Sequence, residues 1–282
     1  MGLELSGVIV EAEDESWINK EVCALVPGGA YAEYCIADKN LCLPIPFAKD
    51  DEAEKEYSRF AKAAGIVENL FTVWKNLFRH KDMVNNARSL LIHGGSGGIG
   101  LTATQLAKNK HFRGGIEKIF VTAGSDDKCQ RCLDLGADFA LNYKDTDKPW
   151  DEIVKEEGKV DIILDIVGGD YLAKNLSCLN RKGRLINLGF MGKTGPIAKE
   201  FNLTPLLLKG LTITGSVLRS NPIEEKITLK EEIEADVWPI IKAGEMEIPA
   251  HISHVFKGIT ETQKALETVM SSQHFGKVIV EL

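Results

Sequence analysis

The sequence lacks an apolar run near the roughly 18 residues that a membrane-spanning helix requires, and its N-terminus carries no basic segment followed by an apolar one. It also lacks an excess of positive charge, since 34 Lys and Arg against 41 Asp and Glu give a net charge of −7. This balance excludes a general positive field that would attract nucleic acid or an anionic membrane surface. We therefore expect a cytoplasmic protein with small-molecule partners and without membrane or nucleic-acid partners.

The six cysteines show neither the spacing of a disulfide framework nor that of a zinc finger, so we expect reduced thiols. Only Cys129 and Cys132 form a C-x-x-C pair. The surrounding segment DDKCQRCLDLGAD is typical of a helix on which these two residues lie one turn apart. We predict that they are core residues and not a redox or metal pair.

Residues 89–108, SLLIHGGSGGIGLTATQLAK, place an apolar strand, a glycine-rich turn and an amphipathic helix in direct succession. The glycines follow the pattern G-x-G-x-x-G at Gly95, Gly97 and Gly100. In such a turn the first glycine permits the tight bend, the second lets the backbone approach a pyrophosphate, and the third lets the helix pack closely on the strand. The sequence therefore predicts a dinucleotide site, with phosphates bound by N–H groups at the helix start.

From Ser89 to Val217, short apolar runs alternate with helical stretches, which is typical of a parallel sheet with crossover helices. Six strands are predicted, enough for a doubly wound domain that binds its ligand at the carboxyl ends of the strands. The predicted strands are 89–93, 118–122, 138–142, 160–165, 184–189 and 211–217.

The flanking regions have a different pattern. The runs GVIVEAE, EVCALV and AEYCIA indicate a small antiparallel barrel, and the charged run 50–59 indicates a solvated helix face. After Pro222 a helical stretch continues to Lys242, and GKVIVEL closes the chain as a strand that we expect to return to the N-terminal region. We predict a dinucleotide-binding domain at 68–217 and a discontinuous second domain at 1–67 and 218–282.

The same turn also matches the nucleophile elbow of α/β-hydrolases, with Ser96 between Gly94 and Gly98. A hydrolase also needs an acid and then a histidine later in the chain, and Asp165 precedes several histidines. The candidate histidines are His251, His254 and His274. This alternative is disfavoured because the six-strand pattern begins at this strand and does not place it in mid-sheet.

The choice of dinucleotide depends on the second strand, IFVTAGS, which ends without an acidic residue. NAD sites place an acid there to bind the ribose hydroxyls, and that acid would repel a 2′-phosphate. Ser125, Lys128 and Tyr143 instead offer a hydroxyl, an ammonium and a phenol that could converge on a phosphate. The sequence therefore favours NADPH.

Motifs along the whole chain resemble those of the zinc-independent quinone oxidoreductases, the zeta-crystallin-like branch of the medium-chain dehydrogenase/reductase superfamily. The likeness is greatest to the tumour-suppressor-inducible quinone oxidoreductase subgroup. The matching segments are GLELSG (2–7), VCALVPGGAYAEYC (22–35), LPIP (43–46), ENLFTVWKNLF (68–78), LLIHGGSGGIG (90–100), VTAGSDDK (121–128), NYK (142–144), DIILDIVGG (161–169), INLGFMG (186–192), VLRS (217–220) and FGKVIVEL (275–282).

The resemblance implies an α/β fold, in which a Rossmann domain with a doubly wound parallel sheet accompanies a discontinuous, N-terminally truncated GroES-like β-barrel domain. It implies four groups of cofactor-binding residues. The pyrophosphate group is Gly97, Gly98, Ile99 and Gly100. The 2′-phosphate group is Ser125, Lys128 and Tyr143. The nicotinamide group is Thr72, Val167, Gly189, Phe190 and Met191, and the closing group from the C-terminal tail is Phe275, Gly276 and Lys277.

The resemblance also implies an NADPH-dependent enzyme that transfers hydride to quinones or related conjugated carbonyls and forms a homodimer through the segment LLLKGLTITGSVL. No zinc is expected, because Leu3 stands where zinc-dependent relatives have a histidine. No catalytic side chain is identified. Family members carry a further segment before the GLExSG motif, so two alternatives stay open: a 2-enoyl thioester reductase, and a catalytically silent protein that holds NADPH or binds RNA.

Overall fold

The computed structural model describes residues 2–48, 57–145, 147–199, 201–246 and 251–282. It consists of two compact units, Lys75–Val217 and the combination of Met1–Trp74 with Leu218–Leu282. We call these the sheet unit and the flanking unit. The sequence placed the first boundary after residue 67, but the helix Val67–Val73 packs on the N-terminal strands and so lies in the flanking unit.

The strands are β1 (Glu4–Val8), β2 (Glu21–Leu25), β3 (Cys42–Pro44), β4 (Ser89–His93), β5 (Lys118–Ala123), β6 (Phe139–Asn142), β7 (Val160–Asp165), β8 (Leu179–Asn187), β9 (Thr212–Gly215), β10 (Ile252–Lys257) and β11 (Lys277–Glu281). The α-helices are α1 (Arg59–Ala64), α2 (Val67–Val73), α3 (Lys81–Asn86), α4 (Gly98–Lys108), α5 (Asp126–Asp134), α6 (Trp150–Glu156), α7 (Tyr171–Cys178), α8 (Thr204–Lys209), α9 (Ile223–Asp236), α10 (Trp238–Lys242) and α11 (Thr262–Met270). Shorter helical segments are the 3₁₀ turns Glu15–Trp17, Lys39–Leu41 and Ile259–Glu261 and the π-helical turn Trp74–Phe78.

The sheet unit contains one six-stranded sheet in the order β6-β5-β4-β7-β8-β9, and every neighbouring pair is parallel. This is the doubly wound order, in which the chain reverses direction across the sheet between β4 and β7. The predicted fold class is confirmed. The fifth strand is longer than predicted because Leu179 already pairs with Val160, ahead of a register shift between Val160 and Ile162.

The strands carry apolar side chains on both faces of the sheet. A parallel sheet requires this pattern, because crossover helices cover both of its faces. All five residues of β4 are buried. One core cluster joins Leu91, Phe120, Ile163 and Leu185 from four adjacent strands. Each such side chain contributes about 1.5–3 kcal/mol on burial. Cys129 and Cys132 are buried free thiols on α5, and burial raises the pKa of Cys132 to about 12.

The flanking unit contains the antiparallel sheet β1-β2-β3 and the parallel pair β10-β11. The Ser58 hydroxyl donates to Glu281 Oε1 at 2.6 Å, which ties the start of α1 to the last strand. Of the charged run 50–59, residues 50–56 lie outside the described residues. Arg59 contradicts the prediction of a solvated face, because it is 8% exposed and donates to both oxygens of Glu21 at 2.6 and 2.7 Å.

One further expectation for the flanking unit was wrong. The run AEYCIA forms no strand. Tyr34 and Ile36 on it are 76% and 93% exposed, whereas Cys35 and Ala37 pack against the apolar core of this unit. The helical stretch toward Lys242 is divided into α9 and α10. Pro239 occupies the first turn of α10, where its missing N–H is tolerated, and so starts a new helix. Within the described part of the chain, none of the helices is long and apolar enough to cross a bilayer.

Candidate functional site

The glycine-rich turn joins β4 to α4 and is held by its own backbone. Gly94 adopts φ +72°, and the N–H of Gly97 donates to the carbonyl oxygen of Gly94 at 3.0 Å. The N–H of Gly95 donates to Thr122 O on β5 at 2.8 Å. Gly97 is the N-cap of α4 and makes no side-chain cap hydrogen bond. The first N–H groups of a helix have no intrahelical acceptor, so this end of α4 offers amides to an anion.

The three motif glycines face different surroundings. A Cβ on Gly95 would lie 2.5 Å from Val121 Cβ, and one on Gly100 would lie 2.4 Å from Gly94 O and 2.6 Å from Gly95 Cα. Both positions therefore require glycine for close packing of the turn and the helix. A Cβ on Gly97 would meet only Gly94 O at 3.5 Å, an ordinary contact. Internal packing therefore gives no reason for glycine at 97, which is consistent with a backbone surface that a ligand approaches.

The predicted phosphate-binding side chains lie together at the carboxyl ends of β5 and β6. Ser125 is the N-cap of α5, and its hydroxyl accepts from the N–H of Lys128 at 3.3 Å. Tyr143 follows β6, and its hydroxyl lies 2.7 Å from the Cβ position of Gly124. The phenol therefore covers the turn between β5 and α5, next to Ser125.

Charges of both signs meet at this corner, since Asp126 and Asp127 in the first turn of α5 accompany Lys128. Burial and the neighbouring cations Lys144 and Arg131 lower the pKa of Lys128. The acidic residue Asp126 accepts a hydrogen bond from Asn142 Nδ2 at 2.8 Å, so its carboxylate is held toward β6. The cluster consequently combines ammonium and hydroxyl groups, a donor set that suits a phosphate monoester.

Four of the five residues expected beside the nicotinamide, all except Thr72, lie on two adjacent loops after β7 and β8. The N–H groups of Met191 and Gly192 donate to Ile166 O and Val167 O at 2.9 and 3.0 Å. Phe190 packs over Gly168, where an added Cβ would lie 2.5 Å from its ring. Gly189 lies next to Ile166: a Cβ added to Gly189 would lie 3.6 Å from the carbonyl oxygen of Ile166. Phe190 and Met191 are 54% and 79% exposed, so the two loops present an apolar surface.

Sequence analysis missed a buried hydrogen-bond chain beneath these loops. The amide nitrogen of Asn175 donates to Asp165 Oδ2 at 3.0 Å. The amide oxygen of Asn175 therefore faces His93 Nε2 at 2.8 Å and accepts a hydrogen bond from its N–H. The other ring nitrogen, Nδ1, then accepts from the Thr122 hydroxyl at 3.0 Å, and that hydroxyl also lies 3.4 Å from the N–H of Gly94. Burial is the main cause that lowers the pKa of His93, so the ring is neutral.

The buried hydrogen-bond chain ends at Asp165, whose side chain is 1% exposed. Its Oδ1 accepts from the N–H groups of Val167 and Gly168 at 2.7 and 3.1 Å. These hydrogen bonds thus connect the glycine turn with the loop that carries Val167. The signal available in the sequence was a polar residue that ends a strand directly after three apolar residues, His93 in β4 and Asp165 in β7.

The same contacts weaken the hydrolase interpretation. Both oxygens of Asp165 accept from Asn175 and from backbone N–H groups, and none of these donors is a histidine from the C-terminal segment. Within the described ranges, no group of three or more His, Cys, Asp or Glu residues is placed to hold a metal ion.

The remaining predicted residues belong to the flanking unit. Thr72 is half-buried on α2, and Phe275 is 2% exposed. Gly276 has φ +88°, and an added Cβ would lie 1.8 Å from His251 O, so the position requires glycine. The ammonium of Lys277 forms an ion pair with Glu4, which engages the side chain within its own unit.

Residues 98–235 match the zinc-binding dehydrogenase family. The chain is 30% identical to the human quinone oxidoreductase over 231 residues, which cover 79% of this chain and 64% of the relative. It is 26% identical to the probable polyketide synthase 42 of Dictyostelium discoideum, an alignment that covers 100% of this chain and 10% of the relative. The crystal structure of Escherichia coli quinone oxidoreductase complexed with NADPH superposes with a TM-score of 0.77 at 23% identity, covering 100% of this chain and 82% of that one.

The chain thus spans less than two thirds of these curated relatives. The family match begins at Gly98, the first residue of α4, and the resemblance seen in the motifs is confirmed. The chain therefore carries a zinc-binding dehydrogenase domain and resembles quinone oxidoreductases at about 30% identity.

Proposed function

We propose that the chain binds NADPH at the carboxyl ends of β4, β5 and β7 and reduces quinones or related conjugated carbonyls. The observation that carries the proposal is the pairing of two anion-binding features on adjacent strands. One is the amide-lined start of α4 after Gly97, and the other is the cluster of Ser125, Lys128 and Tyr143. The Escherichia coli structure with NADPH, whose fold this chain shares, supports the choice of nucleotide.

The residues fit this cofactor. Gly97, Gly98, Ile99 and Gly100 would bind the pyrophosphate through backbone amides, while Lys128 would bind the 2′-phosphate as a cation. When bound, NADPH supplies the hydride. The protein would position the cofactor. The hydrogen bonds that link Thr122 to Asp165 fix the loop that carries Val167. Phe190 and Met191 would exclude water from one side of the nicotinamide ring.

A 2-enoyl thioester reductase is a second candidate. The alignment with the polyketide synthase covers 100% of this chain, whereas the human quinone oxidoreductase covers 79%. This difference justifies testing a crotonyl thioester beside the quinones. Faster consumption of the thioester than of any quinone would favour the second candidate.

The first test compares NADPH and NADH binding by fluorescence titration, followed by a panel of 1,2- and 1,4-quinones with NADPH absorbance as the readout. We expect tighter binding of NADPH and turnover of at least one quinone. Tight NADPH binding without turnover of any acceptor would leave a silent nucleotide-binding protein. Absence of binding by either nucleotide would contradict the proposal.

Lys128→Met should change nucleotide preference. Loss of one charge-assisted contact to the 2′-phosphate should raise the NADPH Kd about tenfold, and the NADH Kd should stay within about twofold. Lys39→Met removes an exposed lysine of the flanking unit and serves as the charge control. Equal weakening of both nucleotides would show that Lys128 does not distinguish them.

We also propose that the protein forms a homodimer through the open edge of β9. Among the described residues this strand pairs with β8 alone, and an unpaired edge is a template for a second chain. Close to it in sequence, Leu207, Leu208 and Val217 are 81%, 63% and 60% exposed. Burial of this apolar surface against a symmetry-related copy would stabilise the assembly.

Leu207→Glu should therefore shift the protein from a species of twice 31.0 kDa to one of 31.0 kDa in sedimentation velocity. The side chain is 81% exposed, so the fold of the subunit should be unaffected. Leu133→Glu alters a partly exposed leucine on α5 and should leave the assembly unchanged. A wild-type protein that sediments only at 31.0 kDa would contradict the dimer.

A further inference from the structure

The flanking unit contains a cavity of about 240 Å³. Most of its wall is apolar. The principal apolar residues are Leu3, Leu25, Val26, Pro27, Leu41 and Leu218. A cavity of about 150 Å³ holds benzene, and drug-sized ligands occupy roughly 300–1,000 Å³. The size therefore suits a compound with one substituted ring.

Four charged residues also line the cavity, and two of them are engaged elsewhere. Asp38 accepts from the N–H and the side-chain amide of Asn40 at 2.8 and 3.0 Å. The Lys226 ammonium donates to the backbone oxygen of Arg219 at 2.7 Å. One carboxylate oxygen of Asp38 and one of the three ammonium donors of Lys226 are thus already engaged.

The other two charged groups have no such engagement. Within the described part of the chain, the guanidinium of Arg219 and the carboxyl group of Glu68 make no hydrogen bond or ion pair with another residue. Polar groups in an apolar pocket with few others fix the orientation of a ligand. This pair therefore points to a ligand with a polar atom at one end and an apolar body at the other.

Glu68 can act as a donor as well as an acceptor. Burial, aided by Glu4 on β1, raises the pKa of Glu68, while Lys277 on β11 and the nearby Arg219 oppose the shift. Glu68 consequently keeps its proton to a higher pH than an exposed glutamic acid. Arg219 supplies a donor to the cavity at every pH and the protonated form of Glu68 supplies another, a pattern that suits a carbonyl oxygen.

We propose that this cavity binds a small, neutral, single-ring carbonyl compound. The carbonyl oxygen accepts hydrogen bonds from Arg219 and Glu68, and the ring packs on the apolar wall. Assigning this compound as the acceptor in the reaction rests on the proposed function, whereas its binding does not.

Acetophenone is a suitable probe, because it carries a carbonyl, does not titrate and does not modify thiols. Ethylbenzene has the same shape without the oxygen. Saturation-transfer NMR titrations without nucleotide should show about tenfold tighter binding of acetophenone. Arg219→Met should abolish this preference, and it should fold normally because Arg219 is exposed. Arg88→Met, which removes an exposed arginine of the sheet unit, is the control.

The pH profile tests Glu68 separately. Affinity for acetophenone should fall as pH rises through the pKa of Glu68, which burial raises above that of an exposed glutamic acid, because the carboxyl donor is lost there. Glu68→Gln keeps a donor at every pH and should give a flat profile. Equal binding of acetophenone and ethylbenzene by the wild type, the same slope in E68Q, or tighter binding of benzoate would overturn the proposal. A parallel NADPH titration separates such a failure from failure of the proposed function.

Discussion

Gly100→Ala is expected to lower NADPH affinity about a hundredfold, as a displacement of about 1 Å at a binding turn can do. The added methyl carbon would lie 2.4 Å from Gly94 O and 2.6 Å from Gly95 Cα. Both are backbone atoms, so α4 must move away from the turn. Overpacking of this kind also costs about 1–3 kcal/mol of stability. Titration of the purified variant with NADPH, together with thermal unfolding, measures both effects.

Gly97→Ala is the informative comparison. Its methyl group would make only a 3.5 Å contact with Gly94 O, so the free energy of unfolding should change by no more than about 0.5 kcal/mol. NADPH affinity should nevertheless fall about tenfold, because the methyl group occupies backbone surface needed by the pyrophosphate. Gly7→Ala, where an added Cβ has no neighbour within 4 Å, should affect neither property. Normal NADPH binding by Gly97→Ala would contradict phosphate binding at this turn.

Asp165→Ala is expected to destabilise the protein by about 4 kcal/mol, because it leaves two buried donors and one partly buried donor without their acceptor. These donors are the N–H groups of Val167 and Gly168 and the amide of Asn175. Circular dichroism melting should show a Tm lower by roughly 10 °C. Asp170→Ala removes an exposed carboxylate nearby and should leave the Tm within about 1 °C. An unchanged Tm in Asp165→Ala would show that the buried chain is not structurally required.

The sheet could be predicted because its signals are local. Each strand is a short apolar run, and the sharp change to helical spacing after Gly100 marks the phosphate-binding turn. Ser125 and Lys128 were identified on the same basis, since they follow a strand directly and precede or begin a helix. Adjacent residues and regular spacing were sufficient for these parts of the fold and the candidate site.

The buried chain and the cavity depend instead on contacts between distant residues. His93 and Asn175 are 82 positions apart, and only the order β5-β4-β7 of the sheet brings Thr122, His93 and Asp165 to one edge. Glu68 and Arg219 meet at one cavity because the chain after β9 returns to the N-terminal strands. No local pattern identifies such partners, since each residue alone is ordinary for a strand end, a helix or a loop.

The direction of the hydrogen bonds around His93 limits what the buried chain can do. It begins at a backbone amide, which keeps its proton, and ends at a carboxylate that already accepts from two further amides. A proton conduit needs an entrance and an exit that can exchange with solvent, and this arrangement has neither. The buried hydrogen bonds therefore hold two loops in place, and any proton consumed in catalysis must arrive by another route.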